Sequence, residues 1–104
     1  MAWFVLIASG AFESVWAIAL SKSDGFTRLW PSVTFALAVV ISMGGLAWAM
    51  KSLPVGTAYA VWVGVGASLT IIYSFATGAE AVTMAKLIFL LMIIAGIIGL
   101  KVVN

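Results

Sequence analysis

The chain has 104 residues, of which 65% are apolar and only 8% are charged, with five basic residues against three acidic ones. A soluble domain carries about 25% charged residues, so this chain cannot cover a water-soluble globule, and disorder is excluded because disordered chains are polar and highly charged. Without cysteine or histidine, and with only scattered cations, we expect no disulfide, metal site, cofactor or nucleic-acid partner. The remaining class is an integral membrane protein in a lipid bilayer.

Charged residues divide the chain into four apolar segments. A helix needs about 20 residues to cross a bilayer core of about 30 Å, so we predict transmembrane helices at residues 2–21, 30–50, 57–77 and 84–103. Polar and apolar residues do not alternate, which argues against a β-barrel. The connectors are too short to fold alone, so the prediction is one all-α domain, residues 1–104, with four transmembrane helices.

Glu13 lies in the middle of the first predicted helix. A charge at that depth costs on the order of 2.5–3.5 kcal/mol, and no apolar segment contains a lysine or arginine that could neutralise it at mid-membrane. Glu13 must therefore carry a proton or pair with something other than protein. A carboxyl group that can bind either a proton or a cation can exchange one for the other. The alternative is a permanently protonated glutamic acid that bonds across helices.

Gly10 and Trp16 lie three residues on either side of Glu13, on the same helical face. We expect Gly10 to clear space beside the carboxyl group and Trp16 to contribute an aromatic face and an N–H donor. The alternative for Trp16 is an aromatic side chain that packs or faces lipid.

The second predicted helix contains a single hydroxyl residue in its centre, Ser42. One hypothesis is that this hydroxyl donates a hydrogen bond to a carbonyl of its own helix. The other is a hydrogen bond to the Glu13 carboxyl, which would make Ser42 part of the site.

Tyr59 and Trp62 share a face of the third predicted helix, for which Thr57 is a candidate N-cap. The pair could line the site or belong to an aromatic belt at the membrane surface. Gly64 and Gly66 follow, and they indicate either a kink or close helix packing.

Small residues in the fourth predicted helix, Gly96 and Gly99, form a ridge that can pack closely. We interpret the ridge as a dimer contact, with packing against lipid as the alternative. Glu80, in the preceding connector, could cap this helix or pair with Lys86.

Loop charges specify the orientation of the chain only weakly. One membrane side has two basic residues and the other has three, so the chain could have a hidden preference or insert in both orientations. Four helices bury little interior. By analogy with transporters built from inverted repeats, two oppositely oriented copies could form the working unit.

Five stretches carry a specific resemblance: GAFESVW (10–16), GFTRLWPS (25–32), AWAMKSLPVGTAYAVW (47–62), GVG (64–66) and GIIGLK (96–101). Through these stretches the chain resembles the small multidrug resistance family along nearly its whole length. Within that family it is most similar to the guanidinium exporters.

The resemblance implies an antiparallel, dual-topology homodimer of eight helices in the bacterial inner membrane. It implies proton-coupled export of guanidinium or substituted guanidinium cations, with protons and substrate competing for Glu13 of both subunits. Matching positions line or support that site (Trp16, Ser42, Tyr59 and Trp62), and residues 64–66 match the kink of the third helix. The open alternatives are an exporter of quaternary ammonium drugs and one subunit of a paired heterodimer.

The third helix departs from the family pattern. Val63 stands where the guanidinium exporters usually have a small hydroxyl residue, and bulkier side chains, including Leu69 and Tyr73, replace a stretch rich in glycine and alanine. These changes predict an altered substrate range or a paired subunit.

Two other classes of membrane protein have a similar composition. A rotary-motor proteolipid is usually a two-helix hairpin with its carboxyl group in the second helix, so four spans and a glutamate in the first argue against it. A regulatory subunit without transport activity would leave the aromatic residues around Glu13 without a role.

Overall fold

The computed structural model describes residues 1–103, which form four helices. These are α1 (Ala2–Lys22), α2 (Leu29–Ala49), α3 (Val55–Ala76) and α4 (Met84–Val103). Each helix has 20 to 22 residues and is long and apolar enough to cross a membrane, and residues 1–103 contain no strand. The predicted all-α fold with four membrane-spanning helices is confirmed.

The start of α3 differs from the sequence prediction. The helix begins at Val55, immediately after Pro54, so Thr57 lies inside the first turn and is not the N-cap. Proline at this boundary has a φ of −57°, and its carbonyl accepts the first helical hydrogen bond from the Ala58 amide at 2.9 Å. The ring of Pro54 fixes the backbone here, and no capping side chain is used.

The first helix is the centre of the subunit. It packs against both α2 and α3, whereas α4 packs its backbone against α3 alone. The core is formed by six buried side chains: Leu6, Leu46, Ala49, Ala58, Val61 and Trp62. The subunit measures 41 × 34 × 17 Å, so it is a thin slab in which most apolar surface faces outward, toward lipid or another subunit.

Consecutive helices run in opposite directions across this slab. Lys22, the last residue of α1, contacts Tyr73 near the end of α3, and Lys101 near the end of α4 lies 5.4 Å from the Trp3 ring at the start of α1. The C-terminal ends of α1 and α3 therefore meet at one face of the membrane.

Glycine allows α1 and α2 to approach closely. A Cβ atom on Gly45 would lie 2.6 Å from the Cβ of Ser9, closer than two carbon atoms can come. A Cβ atom on its neighbour Gly44 would meet nothing within 4 Å. Because association of membrane helices depends on packing more than on the hydrophobic effect, this contact is a main source of α1–α2 stability.

These two glycines provide a matched pair for mutation. We expect Gly45→Ala to lower the free energy of unfolding by about 1–3 kcal/mol, because the added methyl group forces the helices apart. Gly44→Ala should leave the free energy of unfolding unchanged or raise it by up to about 1 kcal/mol, because alanine has a higher helix propensity than glycine. The measurement is reversible unfolding in mixed micelles, followed by helical circular dichroism. Equal stabilities of the two variants would contradict the packing assignment.

Candidate functional site

The Glu13 side chain lies half-buried at the middle of α1, against the backbone of α3. A Cβ atom on Gly66 would lie 2.6 Å from Glu13 Oε2 and 2.7 Å from its carboxyl carbon. Gly66 therefore provides the space that the carboxyl group occupies. The helix is continuous from Val55 to Ala76, and the kink predicted for Gly64 and Gly66 stays a prediction.

The Glu13 carboxyl has no hydrogen-bond partner within residues 1–103, and its Oε2 atom is buried. The one ion pair in that part of the chain joins Lys86 Nζ to Glu80 Oε2 at 3.1 Å, and both side chains are exposed. Within residues 1–103, Glu13 therefore makes no bond across helices of the kind a structural glutamic acid would make. The carboxyl is available to a proton or to an external cation.

One buried hydroxyl connects three helices. Ser42 Oγ in α2 donates to the Ser9 carbonyl of α1 at 2.7 Å, and it accepts a hydrogen bond from Trp62 Nε1 of α3 at 3.0 Å. Neither hydrogen bond expected for Ser42 is present in the subunit, because the hydroxyl bonds neither to its own helix nor to Glu13. The predicted place of Ser42 at the site stays a prediction. Gly45 lies three residues after Ser42, on the same helical face, so the close α1–α2 approach brings Ser9 within reach.

The two aromatic residues of α3 have different environments. Their rings lie 5.9 Å apart with an interplanar angle of 34°, so Tyr59 and Trp62 do share a face. Trp62 is only 4% exposed and is held by Ser42, which excludes the membrane-surface belt for this residue. Tyr59 is 55% exposed and presents its ring outward from the subunit.

Trp16 contacts α2. Its ring meets Phe35 edge to face, with centroids 5.8 Å apart, and its Nε1 donor is buried without a hydrogen-bond partner. No hydrogen bond joins it to Glu13, so its predicted role at the site stays a prediction.

Gly10 lies against the backbone and side chains of α3. A Cβ atom there would lie 2.9 Å from Val65 Cβ and 3.1 Å from the Trp62 carbonyl. Gly10 therefore makes room for α3. The expectation that it also clears space beside the carboxyl stays a prediction.

The remaining glycines for which the sequence predicted a role lie on α4 or on the side of α3 that faces α4. A Cβ atom on Gly64 would lie 2.9 Å from the Ile97 side chain, so Gly64 permits the α3–α4 contact. Gly96 and Gly99 have open space around them, since an added Cβ would meet nothing within 4 Å. Their surface is available to another helix, and the predicted dimer contact stays untested.

Two cavities lie between Glu13 and the C-terminal ends of α1 and α3, and the sequence patterns did not reveal them. Their volumes are about 590 and 500 Å³, and Lys22 and Tyr73 line both. Lys22 Nζ donates a hydrogen bond to the Tyr73 hydroxyl at 2.7 Å. The pair is 51 positions apart, so no local spacing could predict it, although Tyr73 and Leu69, which lines the larger cavity, both depart from the family pattern.

The Ser42 network should appear as energetic coupling between two helices. We expect Ser42→Ala to lower the free energy of unfolding by about 1–3 kcal/mol, because the Trp62 N–H becomes unsatisfied in a buried position. The double variant with Trp62→Phe should cost less than the sum of the two single changes, by at least about 0.5 kcal/mol. Ser14→Ala is the control, because Ser14 bonds to the Ala11 carbonyl of its own helix. Strict additivity in micelle unfolding would refute the network.

Comparison with known proteins agrees with the fold. The family model described as Small Multidrug Resistance protein matches residues 1–93. The "Guanidinium exporter" of Proteus vulgaris is 46% identical over 104 residues, covering all of both chains. Proteins of that name from Salmonella typhimurium strain LT2 and Citrobacter freundii are each 50% identical over 101 residues, covering 97% of this chain and 96% of theirs.

These relatives are exporters and not enzymes, and they come from bacteria. With its four membrane-spanning helices, the chain is a multi-pass protein of the inner membrane. The family match and the identity over almost the full length show that the chain belongs to the small multidrug resistance family.

Proposed function

We propose that the chain exports guanidinium or substituted guanidinium cations in exchange for protons, and that the two compete for Glu13. The observation that carries the proposal is the Glu13 carboxyl at mid-membrane, which has neither a hydrogen bond nor an ion pair within residues 1–103. The similarity to proteins named guanidinium exporters supports the class of cation.

The chemistry of guanidinium suits a carboxylate with no other partner. The ion is planar and permanently charged, and its N–H donors can bind both oxygens of one carboxylate at once. The exposed Tyr59 ring could also cover a face of the cation. Protonation removes the charge that holds the cation, so Glu13 binds one of the two at a time, and this exclusivity couples their movements.

The working unit that we propose is a dimer with its two subunits in opposite orientations. A subunit only 17 Å thick cannot enclose a path across the membrane. Residues of α4 are mostly exposed, and the open ridge at Gly96 and Gly99 provides a surface for a second copy. Each copy then contributes one Glu13 to a shared site.

Transport measurements on the purified chain test the exchange. We expect guanidinium to produce a current in proteoliposomes and Glu13→Gln to abolish it, because the amide can hold neither a proton nor a cation. Glu80→Gln should retain the current, since Glu80 is exposed and paired with Lys86. Lower pH should raise the KM for guanidinium, because protons compete for the carboxyl.

Several outcomes would contradict the proposal. A current that survives in Glu13→Gln would remove this residue from the exchange. A current seen only with a quaternary ammonium compound would assign the chain to drug export. Folded protein could also give no current with guanidinium, substituted guanidinium or quaternary ammonium. If adding a paired homologue then produced a current, the working unit would be a heterodimer and not a homodimer.

The close approach of Gly66 to Glu13 provides a second test. We expect Gly66→Ala to raise the KM for guanidinium by about ten- to hundredfold, because the methyl group displaces the carboxyl from its position. Gly56→Ala is the matched control in the same helix, since a Cβ atom there would meet nothing within 4 Å. Unchanged transport by Gly66→Ala would mean that the carboxyl position against α3 is unimportant.

A further inference from the structure

The smaller of the two cavities lies between α1 and α3 and is called here the α1–α3 cavity. Its lining residues nearest in sequence to the site, Ala17 and Thr70, lie one helical turn after Glu13 and Gly66. At the other end it reaches Thr77 and Ala79, where α3 ends. The cavity, of about 500 Å³, therefore extends from the level next to Glu13 to the membrane surface.

Hydroxyl groups line this cavity and present their oxygens as acceptors. Thr70 donates its own proton to the Gly66 carbonyl at 2.7 Å, and Thr77 donates to the Tyr73 carbonyl at 2.9 Å. Ser21 in α1 likewise donates to the Ile18 carbonyl at 2.7 Å. Because these donors are already used, the hydroxyl oxygens are left as acceptors, which can bind water or a cation rich in N–H groups.

The C-terminal ends of two helices also favour a cation over an anion in this cavity. Both α1 and α3 end at this face, and the carbonyl groups of a helix C-terminus carry partial negative charge. A cation is therefore stabilised at the outer end of the cavity, and an anion is not.

Lys22 interrupts this environment with a positive charge. Its ammonium donates to the Tyr73 hydroxyl at 2.7 Å and lies 5.3 Å from the centre of that ring. It makes no ion pair within the described part of the chain. The neutral Tyr73 hydroxyl of α3 thus holds the Lys22 ammonium of α1 across the cavity.

We propose that the α1–α3 cavity is a hydrated route to Glu13 and that the Lys22–Tyr73 pair is its gate. While the pair is formed, the ammonium lies in the route and repels an entering cation. When the pair separates, the long lysine side chain can extend to the lipid headgroups and leave a path lined by acceptors. The inference rests on the proposed function only in taking Glu13 as the destination.

The chain has no cysteine, so single introduced thiols can test the route directly. Thr70→Cys and Ser74→Cys place a thiol in the cavity, and Ile72→Cys places one on the same helix at a residue that is 45% exposed and does not line the cavity. In lipid nanodiscs both membrane faces are accessible, so the orientation of the chain does not matter. We expect charged, membrane-impermeant thiosulfonates to modify the two cavity thiols at least about tenfold faster than Ile72→Cys.

The gate should appear as charge selectivity. In Thr70→Cys, we expect the anionic thiosulfonate to react at least about fivefold faster than the cationic one, relative to their ratio on free cysteine. Adding Lys22→Met should abolish this preference for the anion and shift the ratio toward the cationic reagent, because the hydroxyl oxygens and helix carbonyls then remain without the ammonium. Lys86→Met should leave it unchanged, because Lys86 lies at the same membrane face but is paired with Glu80. Tyr73→Phe should raise both rates, because it releases the lysine.

Two results would overturn the inference. Cavity thiols at both positions that react no faster than Ile72→Cys, in variants whose circular dichroism shows folded helices, would show that no hydrated route exists. A preference for the anionic reagent that persists in Lys22→Met would show that Lys22 is not the gate. Neither measurement requires transport. If the cavity thiols react as expected but the chain gives no guanidinium current, the proposed function is refuted and the route is not.

Discussion

A single carboxyl group at mid-membrane, with no compensating charge from its own chain, is the constraint on which the rest of the structure depends. Hydrocarbon does not solvate an ionised carboxylate, and within residues 1–103 no side chain binds Glu13. The α3 backbone approaches it at Gly66 without satisfying it. Within that part of the chain the carboxyl stays without a partner, which is what the proposed exchange of a proton for a cation requires.

Small residues determine how the helices are arranged around that carboxyl. Without a strong hydrophobic drive in lipid, helices associate where their backbones can approach, and α1 offers such contacts to α2 at Ser9 and to α3 at Gly10. The central position of α1 follows from having both contacts. The Ser42 hydroxyl then joins all three helices through Ser9 and Trp62, which fixes the rotation of α3 and keeps Gly66 facing Glu13. A distant hydrogen bond thus positions the proposed exchange site without touching it.

The sequence predicts the four helices well because length and apolarity are properties of each segment alone. It also selects Glu13 as the candidate site residue, since the energetic cost of a carboxyl group in the membrane can be judged without knowledge of its neighbours. Contacts between helices were harder, because they depend on helix rotation, which one segment does not specify. For that reason Ser42 has hydrogen-bond partners other than those predicted, and the contact between Lys22 and Tyr73 was missed. The dimer interface depends on a second subunit and remains a prediction.

The polar atoms that remain without partners indicate where the subunit is incomplete. Within residues 1–103, three buried side-chain atoms lack a hydrogen bond: Glu13 Oε2, Trp16 Nε1 and Ser68 Oγ. All three belong to α1 or α3, the two helices that border the hydroxyl-lined cavity. Unsatisfied polar atoms are costly in a membrane, where lipid provides no hydrogen bonds. Their concentration on these two helices therefore favours a working state in which water, the transported ion or a second subunit fills the space beside α1 and α3.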